Sequence, residues 1–112
     1  YKRQHYAHNY DAFKAPVLIY FPLPRGLNEY AMLDAGAFIA AFCAAATDAG
    51  LATCILANLS RYPDLVRCHL PIPDDELVVI GGALGYADPE APANKFQAER
   101  APLDEALVKI GF

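Results

Sequence analysis

The chain has no surplus of positive charge. Nine Lys and Arg stand against thirteen Asp and Glu in 112 residues, a net charge of −4, and the basic residues are scattered rather than clustered. Such a surface does not gather a polyanion, so nucleic acid is not an expected partner. Long uncharged runs are also missing. The longest nearly uncharged stretch, Ala35 to Thr47, is too short for a bilayer, and its small residues suit packing against protein, so no membrane span is expected. No basic start leads straight into an apolar core, because Lys2-Arg3-Gln4-His5 runs on into polar and aromatic residues, and no secretory signal is read there. Cysteine is scarce and odd in number. Cys43, Cys54 and Cys68 lie far apart in apolar neighbourhoods, which favours reduced core thiols over a disulfide framework and makes the cytoplasm the simplest location. The first residue is Tyr1, inside a charged, helix-like segment with no cap before it, and we expect natural sequence upstream.

What the chain does have is apolar residue, 55% of the total, enough to bury a core in one domain. Tyr6, Tyr10 and Phe13 share one face of an expected helix over residues 2–13, which Ala15-Pro16 ends. Val17 to Phe21 is a β-rich run with prolines on both sides and is expected as a buried strand, with a loop over residues 22–26. Asp34 to Ala49, rich in Ala and closed by Gly50, is the strongest helix signal, and being apolar nearly all round it should be central. Leu51 to Leu56 is a candidate strand, and Pro63 opens a helix reaching about His69 before Pro71 and Pro73. Glu76 to Leu84 is a second strong strand, continuous enough to be buried on both faces. A last short helix from Pro102 to about Lys109 would gather Leu103, Ala106, Leu107 and Ile110. No repeat or linker divides the chain.

Several residues invite chemistry. Gly81, Gly82 and Gly85 look like a nucleotide loop, but Tyr86-Ala-Asp-Pro cannot open the helix that would receive phosphate, so they are read as close backbone approach at a strand end. His5 and His8 have a spacing that can share a metal, yet no carboxylate or Cys joins them in a ligand pattern, and they are read as solvent-facing, with no metal expected. Cys54 has no base encoded nearby to make it a nucleophile and is read as a core thiol. Asp74-Asp75-Glu76 is read as solvated charge. Lys95 and Arg100 differ, because they stand in a turn-rich segment that forms no regular amphipathic helix. A guanidinium fork and an ammonium are the chemistry that holds a phosphate.

Taken in order, Asn9-Tyr-Asp-Ala-Phe13-Lys-Ala15-Pro16, Asp34-Ala-Gly36, Ala49-Gly-Leu51, Ser60-Arg-Tyr-Pro63, Ile72-Pro-Asp-Asp75 and Leu84-Gly-Tyr-Ala-Asp-Pro89 resemble the nitrobenzoate-reductase-like branch of the FMN-dependent nitroreductase family. The resemblance runs through Phe112. It implies an α+β fold, a mixed β-sheet wrapped by helices, with residues 1–112 as the C-terminal part of a single domain. It also implies an obligate homodimer with FMN bound across the subunit interface. Such proteins pass a hydride from NAD(P)H through the flavin to a nitroaromatic, quinone or similar acceptor in ping-pong order, and the flavin does the chemistry.

Carried over by position, Arg100 stands where the family binds the FMN phosphate and Lys95 on a nearby basic position. Ile55, Leu56, Ala57 and Asn58 fall where backbone N–H groups meet the flavin N5 edge, and no catalytic side chain is implied. The chain departs from the branch at Ile55-Leu56-Ala57, where Pro-Gln-Glu is usual, at Gln97, often Arg, and at Ala40 and Ala41, commonly Gln-Asn. Two alternatives stay open: a flavin-free dimerisation or interaction module on the same scaffold, and a flavin dehalogenase-type reductase.

Overall fold

A computed structural model describes residues 7–111. Its frame is a three-stranded antiparallel sheet in the order β1, β3, β2, made of β1 (Val17–Pro24), β2 (Ala52–Leu56) and β3 (Glu76–Gly85). One long helix, α1 (Glu29–Asp48), two short ones, α2 (Pro63–Arg67) and α3 (Leu103–Ala106), and a helical stretch over residues 7–10 accompany it with short 3-10 turns. This is the α+β arrangement that the resemblance implies, and the strand pairs present are antiparallel.

β3 is central because its sequence can be buried on both faces. Val78 and Ala83 are 9% and 6% exposed, and the glycines between them leave room for neighbours to approach. β1 extends three residues beyond the expected strand, through Pro22 and Pro24. Prolines are tolerated there because β1 is an edge strand, where a missing N–H need not face a partner. A register shift between Phe21 and Pro22 takes up the irregularity. The edge position also corrects the expectation of burial, since Val17 and Leu18 remain exposed.

α1 starts at Glu29, ahead of the expected Asp34, with Asn28 extended at its N-cap position. It ends in a Schellman motif: Gly50, at φ 76°, donates to Thr47 O, and Leu51 N donates to Ala46 O. That turn delivers the chain directly into β2. The helix meets β1 through Phe38 and Phe42, whose rings stand edge-on to Phe21 at 6.2 and 5.9 Å. Only Ala46 of α1 is buried, so the helix is not central within this chain. The helix is 20 residues long and contains an 18-residue window of mean hydropathy 1.5, the length and polarity of a membrane span, although Glu29, Asp34 and Asp48 lie within the helix as a whole.

The expected N-terminal helix is helical over residues 7–10, and its part over residues 2–6 lies outside the described residues. It stops short of Phe13. Asp11 accepts a hydrogen bond from Phe13 N, and Ala12, Phe13 and Lys14 form a turn with φ of 47°, 55° and 59°. α2 is shorter than expected, closing at Arg67 with Cys68 as its cap. α3 is a single turn, and Leu103, Leu107, Val108 and Ile110 are exposed rather than gathered.

The core is correspondingly small, centred on Ala12, Leu56 and Ala83 with Ala15 and Leu59 against them. The radius of gyration is 17.1 Å, whereas a compact chain of this length would have about 13 Å. The accessible surface is 9017 Å², against about 6,100 Å² for a compact monomer of this mass. The surplus is on the order of 3,000 Å².

Candidate functional site

β2 is anchored at its end by Leu56, whose side chain is 4% exposed in the small core. The chain then turns immediately into a 3-10 turn, Ala57–Ser60. Ser60 Oγ donates to Ala57 O at 3.0 Å and Arg61 N to Asn58 O at 3.3 Å, which closes the turn from its far side. Leu56 offers no side-chain cap, so the leading amides of this turn have no side-chain acceptor. The sequence-expected residues Ile55, Leu56, Ala57 and Asn58 are thus a strand end followed by a tight turn.

Lys95 closes a 3-10 turn, Pro92–Lys95, that Asp88 organises: its Oδ1 accepts from Glu90 N at 2.9 Å and its carbonyl from Asn94 Nδ2 at 2.7 Å. The Lys95 ammonium is engaged with Glu90 Oε2 at 2.9 Å on the surface. Arg100 lies beyond, in an extended exposed segment, and donates only to its neighbours Ala98 O and Glu99 O at 3.4 and 3.3 Å. Among the described residues no carboxylate pairs with it. Its charge is therefore available to an anion, whereas that of Lys95 is partly neutralised. No hydrogen bond or ion pair among the described residues joins either of them to residues 55–58.

Two grooves flank the sheet. One, of about 670 Å³ between β1 and α1, is apolar and aromatic, with Tyr20, Phe21, Phe38 and Phe42 around a single carboxylate, Asp34. The other, of about 570 Å³, is walled by His8, Lys14, Cys54, Asp88 and Asn94. Leu56, Ala57, Asn58, Lys95 and Arg100 line neither. His8 stands 3.6 Å from Asp11, and His5 lies outside the described residues. The cysteines correct the core-thiol expectation: all three are free, Cys54 and Cys68 are exposed and Cys43 is half-buried. Cys54 lies exposed on the edge strand β2, yet partial burial of its sulfur pushes the thiol up.

The glycines are strand residues, as their context indicates, and the sequence reading missed what they approach. A methyl on Gly85 would lie 2.8 Å from Pro16 Cδ, and one on Gly81 equally close to Leu59. Two arginines were also missed. Arg25 Nε donates to Asp74 O at 2.9 Å, and Arg67 Nη2 donates to Glu76 O, so both hold the turn that leads into β3. Their signal in the sequence was faint, because backbone carbonyls leave no pattern of partner side chains.

Fold and site together define an α+β unit with an antiparallel sheet, a largely exposed apolar helix against its edge strand, and a tight turn at the end of β2. The chain belongs to the nitroreductase family, whose model matches residues 2–86. It is 35% identical over 104 residues to a 4-nitrobenzoate reductase of Pseudomonas putida, which covers 93% of this chain and 46% of that protein. Its backbone matches that of the FMN and NADPH-dependent nitroreductase NfnB from Sphigopyxis sp. strain HMH with a TM-score of 0.91 at 31% identity, over 99% of this chain and 50% of that one. NfnB from Mycobacterium smegmatis, solved in complex with NADPH, matches with a TM-score of 0.90 at 27% identity, over 97% and 49%. The chain spans about half the length of these relatives.

Proposed function

We propose that this chain is the C-terminal part of a single nitroreductase-like domain, in a homodimeric FMN-dependent enzyme that uses NAD(P)H to reduce a nitroaromatic, quinone or similar acceptor by a ping-pong route. The observation that carries the proposal is the 93% alignment of this chain to less than half of a 4-nitrobenzoate reductase. The surplus surface on α1, β1 and the C-terminal segment agrees with it, since a remaining half-domain and a second subunit would cover these faces.

The residues present fit FMN in kind. Arg100 offers a permanently charged fork with no competing carboxylate, suited to a terminal phosphate. Lys95, tied to Glu90, would add a weaker, screened attraction. The backbone of Ile55, Leu56, Ala57 and Asn58 would supply donors to the electron-rich edge of the isoalloxazine, a task that requires no particular side chain. That indifference explains how Ile55-Leu56-Ala57 can replace Pro-Gln-Glu without abolishing the site. When bound, FMN supplies the redox chemistry. The free thiols suit a reducing compartment, and we place the enzyme in the cytoplasm.

The test is to express these residues together with the rest of the proposed domain and to record the flavin spectrum and FMN affinity, with and without Arg100→Ala. Loss of one charged phosphate contact should cost about 1.5–3 kcal/mol, roughly 10- to 150-fold in affinity. A colourless protein that binds no added FMN would overturn the cofactor assignment.

A further inference from the structure

Gly81 sits at the centre of β3, opposite Tyr20 of β1 and Leu56 of β2. A methyl group on it would lie 2.8 Å from Leu59 Cβ, 2.9 Å from Leu59 Cδ1 and 3.1 Å from Ile19 O. Leu59 belongs to the Ala57–Ser60 turn, so this turn folds back over the sheet and rests directly on the Gly81 backbone. The Cβ of Leu59 is fixed to the main chain and cannot swing aside as a side-chain tip could. Carbon atoms settle at about 3.5–4.0 Å, so any side chain at position 81 must lift the turn by roughly 0.7–1.2 Å. The neighbouring Gly82 is a natural contrast. A methyl there would meet Ile55 Cδ1 at 3.2 Å, the mobile end of a side chain, and Cys54 O at an ordinary 3.5 Å.

We infer that Gly81 is a positioning residue for the flavin edge: its missing side chain sets the height of the Ala57–Ser60 turn and so the aim of the amides at Leu56, Ala57 and Asn58. The inference rests on the proposed contact of those amides with FMN. Displacement by about 1 Å is enough to cost a well-aimed interaction on the order of a hundredfold in a reaction rate. Donors aimed at the electron-rich edge favour the more electron-rich state of the ring. A misplaced turn should therefore make bound FMN harder to reduce, in addition to any general loosening.

The experiment compares Gly81→Ala, Gly82→Ala and Gly81→Ala/Leu59→Gly in the flavin-loaded dimer. It measures amide hydrogen exchange of residues 56–60 in the flavin-free protein and the midpoint potential of bound FMN by spectroelectrochemistry. Gly81→Ala is expected to speed exchange in the turn while α1 keeps its protection, and to disfavour the reduced state about tenfold, a fall of about 30 mV for a two-electron couple. Gly82→Ala should stay within twofold of the parent in both, and the double variant should recover most of the shift. Equal effects of Gly81→Ala and Gly82→Ala, or weaker FMN binding with an unchanged potential, would overturn the inference and leave the cofactor assignment standing. A parent that binds no FMN would remove that assignment and the redox half of the inference together, while the exchange result would still decide whether Gly81 seats the turn. Unfolding of Gly81→Ala without rescue by the double variant would also count against it, because the contact would then be purely structural.

Discussion

Arg67 allows two kinds of electrostatic contact to be separated by substitution. Its side chain is 14% exposed, its Nη2 donates to Glu76 O, and its Nε is buried without a hydrogen-bond partner. Asp74 Oδ1 stands 3.9 Å from that Nε, too far for a hydrogen bond, on a side chain that is fully exposed. Solvent should screen this ion pair almost completely, whereas the bond to the carbonyl is shielded and charge-assisted. If so, Arg67 works as a single charged donor rather than as a fork, and Lys should serve nearly as well. Arg67→Lys and Arg67→Met both delete the unsatisfied Nε, so the difference between them isolates the bond to Glu76 O. We expect Lys to be the more stable by about 1.5–3 kcal/mol, with Asp74→Asn indistinguishable from the parent. Urea unfolding of the assembled protein, followed by circular dichroism at constant m, measures all three. Equal stability of the Lys and Met variants would show that the carbonyl bond contributes nothing, and an Asp74→Asn loss as large as that of Arg67→Met would show that the guanidinium–carboxylate pair holds the turn; either would refute the reasoning.

Two further outcomes follow from local conformation and burial. Lys14 is exposed at φ 59°, where a side chain with a Cβ costs about 1–2 kcal/mol and a β-branched one more. Lys14→Gly should therefore unfold at higher urea than Lys14→Val, by at least about 1 kcal/mol in stability, and equal midpoints would mean that the left-handed turn is not kept in solution. The Cys54 thiol is pushed up by desolvation, so the folded protein holds its proton over a pH interval in which the unfolded chain has already lost it. Its contribution to stability is then complete below the unfolded-state pKa and declines as pH rises through the folded one. Iodoacetamide labelling of Cys54 should show its pH midpoint above that of the same thiol in urea, and Cys54→Ser should flatten the alkaline decline; coincident midpoints would contradict the burial.

How far the sequence can be read depends on whether a feature is local. Gly50 ended α1 as expected because a C-terminal cap is written in neighbouring residues, and the Schellman bonds from Gly50 and Leu51 carry it out. β3 was legible because Leu77-Val-Val-Ile80 admits burial on both faces and little else. Pro22 and Pro24 misled, since proline ends a central strand but not an edge strand, and strand order is set by pairing with residues some sixty positions away in the chain. Phe13 misled for a similar reason: its spacing from Tyr10 fits a helix, but the Asp11 carboxylate captures its amide and bends the chain into a left-handed turn.

The candidate site divides along the same line. The charge of Arg100 can be read from its residue type, whereas its proposed role comes from the family resemblance; among the described residues no carboxylate pairs with it. The height of the Ala57–Ser60 turn could not be read from Ile55-Leu56-Ala57 at all, because it is determined by a glycine on another strand. Gly81 was recognisable as a place of close approach, but the identity of the approaching residue, Leu59, depends on β2 pairing antiparallel to β3 with Leu56 opposite Gly81. A register shift of one residue would point the turn at a different neighbour and would reverse the faces of every side chain on β2. The backbone donors of this site are thus specified less by the residues that carry them than by the register that brings Gly81 beneath them. If the backbone of residues 55–58 meets FMN as proposed, substitutions along residues 55–57 should be tolerated there, whereas a single methyl at position 81 would have to move the turn.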